Sequence, residues 1–515
     1  MARDNYKDQG TAIELENSNP HQTEAQTPLK IADGDEALQF LHEGFEPYTE
    51  EEEKRIRRKI DMRLVSLMLL VNGIQFIDKN TMSSAGTYGI IEQANLKGQE
   101  FSLLTSIFYI GYILAQYPTN VLMQRFPIGK YISVNFCLWG VVLATSTAAK
   151  NFAGLAAARF FLGVFESCLN PGFVLITSSW WKREEQASRL GLWYMANGLI
   201  GVPSGFIFYG IAHLNVDHIY AYQWMFLIFG VVTVIFGTSL WWILPDSPLT
   251  VTWLNDRERL IAIERPKSNK TGVKNSHHKH EQVMEAILDP KIWLLALAIF
   301  FHNMTNSLQT TFLGILIKGF GYTTYQSVLL SVPIGAILSF TMLIIVVVLN
   351  KWEGKRIFAI IICYIPGIVA CVILYTVPIK ASTKSIHLFA IYILPIVAAG
   401  AGVLYSLLAS NVAGYTKKVV SGTIFFAASS VANIVSPQTF ITREAPRYQT
   451  GIAVALASFC ANVVLFISLY VIYYRINKAR DNDPDGAIST DATEDLIESF
   501  SDMTDTQNKK LRYKM

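Results

Sequence analysis

The chain has little charge for its length, and most of that charge lies near its two ends. Of its 515 residues, 16% are charged and 51% are hydrophobic, whereas soluble domains average about 25% charged residues. Long interior stretches carry no charge at all. This shortage of surface-forming residues excludes a soluble enzyme, a secreted disulfide scaffold and a disordered protein.

Signatures of metal, redox and nucleic-acid chemistry are also missing from the sequence. The chain has five cysteines, all within apolar runs and none in a CxxC or other metal-ligand spacing. We find no nucleophile–base set, metal cluster or phosphate loop, and no nucleic-acid signature. We therefore expect no enzyme activity, no cofactor, no metal site and no nucleic-acid partner.

The sequence does contain a series of apolar runs, each of roughly twenty residues. A helix of that length spans about 30 Å, the thickness of the hydrocarbon core of a bilayer. We predict an all-α membrane protein with twelve transmembrane helices in two six-helix bundles. The predicted spans are 62–82, 101–121, 131–149, 154–176, 189–212, 223–245, 292–316, 325–349, 356–377, 385–410, 420–440 and 450–474.

Lysine and arginine residues flank these runs unevenly. They concentrate before the first run, in alternate short loops, in the long central loop and after the last run, which places both termini in the cytoplasm. The predicted division is a cytoplasmic N-terminal tail at 1–60, an N-terminal bundle at 61–246, a cytoplasmic central loop at 247–290, a C-terminal bundle at 291–474 and a cytoplasmic C-terminal tail at 475–515.

Ionisable residues inside the predicted spans are few. Each costs at least ~2.5–3.5 kcal/mol on insertion scales, so such residues are the first functional candidates in a membrane protein. Asp78 and Lys79 lie late in the first span, Arg159 and Glu166 in the fourth, and His302 in the seventh.

The charged residues of the fourth span lie on one predicted helical face. That face contains Arg159, Gly163, Glu166 and Asn170, spaced by four, three and four residues. About 10 Å along the axis separates arginine from glutamate, so both can flank one cavity. An arginine fork suits a substrate carboxylate, and a buried glutamate can titrate near neutral pH. The alternative is a structural ion pair that locks two helices.

Other polar residues are further candidates with alternative interpretations. Asp78 and Lys79 could lie at a membrane interface, where lysine snorkels to water, and His302 could be a hydrogen-bonded packing residue. Amides at helix contacts are common packing groups. As candidate substrate contacts we add Tyr109, Asn197, Asn306, Gln309 and Asn433.

Several stretches resemble one branch of a known transporter family. Residues 159–166, followed by Asn170, Pro171 and Gly172, resemble the fourth-span signature of the anion:cation symporter branch of the major facilitator superfamily. The sequence departs from the branch at Lys79, where an arginine is usual. Further stretches are similar to the fungal allantoate permease group within that branch, at 244–248, 289–293, 317–322, 411–418 and 437–440.

The resemblance implies proton-coupled import of a small organic anion. The group carries carboxylates such as allantoate and ureidosuccinate, vitamin acids, sulfur compounds and small peptides. It implies that Asp78 and Glu166 are protonation sites and that Lys79 and Arg159 contact the anion. The expected partners are the anion, protons and the lipid bilayer. We expect a monomer in the plasma membrane, with the endoplasmic reticulum and the vacuole as alternatives.

Two other functions stay open at this point. A nutrient receptor would bind the anion and signal without transporting it, so tracer uptake separates it from a carrier. An uncoupled facilitator or drug exporter is the second alternative, although intramembrane carboxylates argue against simple facilitation. The sequence does not name the substrate, because one arginine accepts any carboxylate.

Overall fold

Long α-helices make up nearly all of the structure. The computed structural model describes residues 48–214, 219–248, 251–267, 279–351, 355–482, 503–508 and 511–515. The helices up to the central connection are α1 Glu50–Ile60, α2 Ser66–Thr87, α3 Ile90–Gln93, α4 Glu100–Arg125, α5 Ile128–Thr145, α6 Phe152–Glu166, α7 Leu169–Trp180, α8 Arg183–Ile211, α9 Ala221–Ile243, α10 Asp256–Lys267 and α11 His280–Leu288.

The second half of the chain continues in the same way. Its helices are α12 Pro290–Met304, α13 Asn306–Thr310, α14 Leu313–Gly319, α15 Thr324–Lys351, α16 Arg356–Thr376, α17 Lys384–Ile393, α18 Ala399–Asn411, α19 Tyr415–Val435 and α20 Gln449–Asp481. The 3₁₀ segment Leu394–Ala398 joins α17 to α18, and Ser436–Thr439 follows α19 directly.

Nine helical segments within the described ranges are long and apolar enough to cross a membrane. They coincide with nine of the predicted spans. At the other three positions the structure has α4, α8 with its apolar stretch Asn197–Ile211, and the interrupted series α12, α13 and α14. The all-helical fold is thus confirmed, while the count of twelve spans, the side on which the termini lie and the five-part division of the chain stay predictions.

The first long helical run begins earlier than the first predicted span. Thr49 Oγ1 accepts a hydrogen bond from the Glu52 amide at 3.3 Å, and the Glu52 carboxylate accepts one from the Thr49 amide at 3.0 Å. This capping box starts α1 at Glu50. A π-helical turn, Asp61–Val65, then joins α1 to α2 without a break. Residues 50–60 of the predicted tail are therefore helical and continuous with α2.

The fourth predicted span is divided into two helices. A proline ring clashes with the carbonyl group four residues earlier, which for Pro171 is that of Ser167. Accordingly α6 ends at Glu166 and α7 begins at Leu169. The Ser167 hydroxyl donates to the Val164 carbonyl at 2.7 Å, satisfying one group at the helix end. The break lies one turn before Pro171 and directly follows Glu166.

The helices pack first within each half of the chain and then across the two halves. In the N-terminal half, α5 packs against α9, α4 against α6 and α2 against α8. In the C-terminal half, α12 packs against α19 and α20, and α16 against α20. The halves meet where α8 contacts α15, α4 contacts α19 and α2 contacts α14. We call the end of the bundle that carries α1, α10 and α11 the basic end and the opposite end the far end.

Hydrogen bonds join the two halves at the far end. The Ser106 hydroxyl of α4 donates to the Ile434 carbonyl at 2.6 Å and accepts from Gln438 Nε2 at 2.8 Å. Closer to the far end, Lys318 Nζ donates to the Thr87 carbonyl at 3.0 Å. These contacts tie α4 and α2 to α19 and α14.

A close helix crossing joins the halves near their middle. A Cβ atom on Gly335 of α15 would lie only 3.0 Å from the Gly198 carbonyl oxygen and from Gly201 Cα of α8. Glycine at these three positions is what lets the two backbones approach so closely. The described contacts between the halves thus run from the middle of the bundle to the far end.

Ion pairs at the basic end hold α1 and α10 against the N-terminal half. Arg265 of α10 is fully buried and lies 3.1 Å from Glu53 and 2.8 Å from Glu185. Lys182 lies 2.5 Å from the same Glu53 carboxylate. Arg265 and Lys182 both pair with the Glu53 carboxylate, so these residues form a network rather than isolated pairs.

A second network at the basic end binds the end of the chain to the C-terminal half. Lys417 is fully buried and lies 2.6 Å from Asp505, 2.8 Å from Asp289 and 2.9 Å from Glu285. Lys291 lies 2.6 Å from the other oxygen of Asp505. Burial alone would raise the pKa of Asp505, but the two ammonium groups hold this pKa below its usual range. The described residues of the predicted C-terminal tail therefore pack on the bundle.

We expect Asp505→Ala to lower the thermal stability of the purified protein clearly. Removing one partner of a buried ion pair costs up to about 3–5 kcal/mol, and both Lys291 and Lys417 lose a partner here. Because the pKa of Asp505 is lowered, its stabilisation is complete above about pH 4 and is lost as the pH falls further. A thermal-unfolding midpoint at pH 7 measures the effect.

Asp481→Ala is the matched control for this variant. Asp481 pairs with Arg512 at 2.7 Å, but its side chain is 63% exposed, and exposed pairs contribute about 0–1 kcal/mol. Equal unfolding midpoints for the two variants would show that the Asp505 network does not stabilise the bundle.

Candidate functional site

The site is built on facing sides of α2 and α6. Gln75, Lys79 and Met82 are spaced by four and three residues, so they share one face of α2. Arg159 and Glu166 lie seven residues apart on α6, as Gln75 and Met82 do on α2. Arg159 meets Met82, and Glu166 meets Gln75 and Lys79. The two helices therefore run antiparallel with their charged faces in register.

Glu166 is buried and receives both of its donors on one oxygen. Its Oε1 lies 2.9 Å from Lys79 Nζ and accepts a hydrogen bond from Gln75 Nε2 at 2.7 Å. Its Oε2 is also buried and has no hydrogen-bond partner among the described residues. The Glu166 side chain is 1% exposed, whereas that of Lys79 is 35% exposed. The lysine can therefore reach a ligand that the glutamate behind it cannot.

Asp78 lies in the interior of the bundle. Its side chain is buried, and its Oδ2 accepts a hydrogen bond from the indole of Trp139 on α5 at 3.1 Å. Thr81 Oγ1 lies 3.4 Å from its other oxygen. Asp78 is therefore not in contact with water as the interfacial alternative expected, and the Trp139 indole holds its carboxylate in the core of the N-terminal half.

Arg159 is buried without an ion pair among the described residues. Its Nη2 donates to the thioether sulfur of Met82 at 3.1 Å, a weak acceptor, and its Cζ lies 5.8 Å from the ring centre of Phe226. Asp78 and Glu166 are near enough to act on it electrostatically without forming an ion pair with it. Most of its five N–H donors thus remain for a ligand.

Polar side chains connect this cluster to the C-terminal half. Asn306 Nδ2 lies within hydrogen-bond distance of the Tyr109 hydroxyl, at 3.3 Å, and donates to Asn433 Oδ1 at 2.7 Å. Tyr109 also interacts electrostatically with Lys79. Three of the predicted contacts thus lie together where the two halves meet.

The remaining predicted contacts are more peripheral. Asn197 Oδ1 accepts a hydrogen bond from Asn72 of α2 at 3.1 Å, one turn from Gln75. Gln309 lies on the short helix α13 and is partly exposed. His302 shares a hydrogen bond of 2.7 Å with the Tyr364 hydroxyl inside the C-terminal half, as expected for a packing residue. Of the described residues, no group of three or more His, Cys, Asp or Glu could hold a metal ion.

Sequence reasoning missed Gln75, Trp139 and Met82, which all touch the charged cluster. Gln75 could have been found, because it lies one turn before Lys79 on the same helical face. Trp139 and Met82 carry no such signal, since tryptophan and methionine are common in apolar helices and their contact with a charge depends on tertiary packing.

Comparison with known proteins identifies the family of the chain. The sequence model of the Major Facilitator Superfamily matches residues 68–437. The chain is 31% identical over 493 residues to the allantoate permease of Saccharomyces cerevisiae, covering 93% of this chain and 90% of that protein. It is 32% identical over 460 residues to the thiamine pathway transporter THI73 of the same yeast, covering 89% and 86%. The resemblance to the fungal allantoate permeases is thus confirmed.

The fold is similar to that of solved transporters. The crystal structure of a D-xylose-proton symporter superposes with a TM-score of 0.61 over 79% of this chain and 97% of that chain, at 12% identity. The family model, the sequence relatives and the solved structure all match most of this chain, and all of them are transporters. The chain therefore belongs to the major facilitator superfamily and is a multi-pass membrane transporter.

Proposed function

We propose that the protein imports a small organic anion together with protons. The substrate would be a carboxylate such as allantoate, ureidosuccinate, a vitamin acid, a sulfur compound or a small peptide. The observation that carries the proposal is the buried Arg159, which has no ion pair among the described residues and lies beside two buried acids, Asp78 and Glu166.

Arg159 supplies the contact that selects an anion. A buried charge without a partner is costly, so a protein keeps it where a ligand neutralises it. The planar guanidinium can hold a carboxylate with two parallel hydrogen bonds. Lys79 provides a second positive charge, one that is more exposed than Arg159. Together they favour a substrate with at least one carboxylate.

Glu166 couples the anion to a proton by competing for Lys79. When Glu166 is ionised, Lys79 is held 2.9 Å from its carboxylate. When Glu166 takes up a proton, Lys79 loses that partner and can neutralise the substrate carboxylate instead. Loss of the proton on the other side of the membrane returns Lys79 to Glu166 and adds a negative charge near the bound anion, which favours release. Asp78, buried and close to Arg159, is the second protonation site.

The arrangement of the two halves fits the step in which substrate is released inward. If the positive-inside rule places the basic end in the cytoplasm, the halves are joined from the middle to the outer end and the structure is inward-facing. Alternating access would then require the α8–α15 and α4–α19 contacts to open on the outer side. We place the protein in the plasma membrane, where import of a nutrient anion begins.

Uptake of radiolabelled allantoate into vesicles reconstituted with the full chain tests the proposal. We chose this probe from the name of the yeast relative. Uptake should increase as the external pH falls below the internal pH, because the inward proton gradient then drives the coupled anion inward. The same measurement with ureidosuccinate, nicotinate and pantothenate identifies the preferred carboxylate.

Two results would contradict the proposal. Saturable binding of these anions without any uptake would indicate a receptor. Uptake that does not change with pH and does not exceed equilibrium would indicate an uncoupled facilitator.

A further inference from the structure

Gln75 is the second donor to Glu166, and it differs from Lys79 in its surroundings. Its amide donates to Glu166 Oε1 at 2.7 Å, and its side chain is only 4% exposed. Lys79 reaches the same oxygen at 2.9 Å but is 35% exposed. In the part of the chain that the structure describes, the Oε2 atom of Glu166 has no hydrogen-bond partner. Once Lys79 leaves, the Gln75 amide is therefore the described donor that remains on the Glu166 carboxyl group.

We propose that Gln75 is a positioning residue for Glu166, which holds the Glu166 carboxyl group in place, ionised or protonated, while Lys79 moves between Glu166 and the substrate anion. This inference rests on the proposed proton-coupled transport. An amide suits the role because it donates a hydrogen bond without adding a positive charge, so it does not replace Lys79 as the cation that neutralises ionised Glu166. Its position one turn before Lys79 on α2 places both donors on the same oxygen.

The other charged and titratable groups around Glu166 do not depend on Gln75. They are Asp78 and Lys79 on α2, Arg159 on α6, Tyr109 on α4 and Cys168 between α6 and α7. A substitution at Gln75 therefore changes one hydrogen bond to the carboxylate while this set of charges stays the same. That makes the amide separable from the rest of the site by mutation.

The test replaces Gln75 by methionine, which has a similar length and no donor. A hydrogen bond to a charged group favours the charged form, so its loss should make Glu166 bind its proton about 10–100-fold more tightly. The midpoint of Glu166 titration should then move about one to two pH units higher. Infrared difference spectra of the purified full chain, stepped in pH, report this midpoint through the carboxylic-acid band that Glu166→Gln removes.

A second variant and a control guard against a merely structural effect. Gln75→Asn keeps the amide but withdraws it by one methylene, so it should shift the Glu166 titration in the same direction as Gln75→Met. It replaces Gln75→Met in the test if the methionine variant does not fold. Asn135→Leu is the matched control, because Asn135 is a buried amide on α5 that bonds only to the Tyr131 carbonyl, at 2.9 Å, among the contacts described for it. It should leave the Glu166 titration unchanged.

Transport measurements complete the test and separate it from the proposed function. The pH dependence of allantoate uptake should move with the Glu166 titration in Gln75→Met, and in the Glu166→Gln background Gln75→Met should not change the pH dependence of allantoate counterflow. An unchanged Glu166 titration in both Gln75 variants would overturn the inference even if uptake were proton-coupled. A shifted titration together with uptake that ignores pH would leave the role of Gln75 intact and contradict the proposed function.

Discussion

Arg159→Lys is expected to reduce anion uptake about 10–100-fold while the protein still folds and reaches the membrane. Lysine keeps the positive charge but loses the planar fork that binds a carboxylate with two hydrogen bonds. A hydrogen bond to a charged group contributes about 1.5–3 kcal/mol, which corresponds to that loss. Initial rates of uptake at low substrate concentration, normalised to protein in the membrane, measure the effect.

Arg443→Lys is the control for this substitution. Arg443 is exposed in the segment between α19 and α20, so the exchange should leave uptake unchanged. Normal transport by Arg159→Lys would mean that Arg159 is a structural residue and that the anion binds elsewhere.

Glu166→Gln is expected to separate exchange from accumulation. The amide imitates the protonated carboxyl, so Lys79 stays available to the anion and the carrier should still exchange labelled for unlabelled substrate across the membrane. With no proton to release, it should fail to concentrate substrate against a gradient. Counterflow and net uptake in the same reconstituted vesicles measure these two activities separately.

The matched control for the coupling variant is Glu92→Gln. Glu92 is an exposed glutamate on the short helix α3, and its loss should affect neither counterflow nor net uptake. If Glu166→Gln still accumulated substrate with an unchanged pH profile, the proton would have to travel by another group, and Asp78 would be the next candidate.

Much of the fold could be predicted from the sequence because the membrane imposes a simple pattern. Runs of about twenty apolar residues predict helices of bilayer length, and nine of the predicted spans appear as long apolar helices. The charges within those runs were equally visible. Arg159 and Glu166 lie on one face of α6 as their spacing predicted, and both are buried.

The partners of those charges could not be predicted, because they depend on how helices pack. The sequence placed Arg159 and Glu166 around one cavity, but only the antiparallel register of α2 and α6 shows that Glu166 meets Lys79 and Gln75. The ion pair between Asp505 and Lys417 could not be predicted from the sequence for a different reason. Polar, acidic composition is typical of a solvated tail, and it does not reveal that a buried lysine lies within reach.

The most direct test of proton-coupled anion import is proton movement driven by the anion. Vesicles reconstituted with the full chain would hold a pH-sensitive dye inside, with no initial pH difference across the membrane. On addition of external allantoate, the interior should acidify at a rate that follows tracer uptake, and Glu166→Gln should abolish the acidification. Allantoate entry without any change in internal pH would contradict the account.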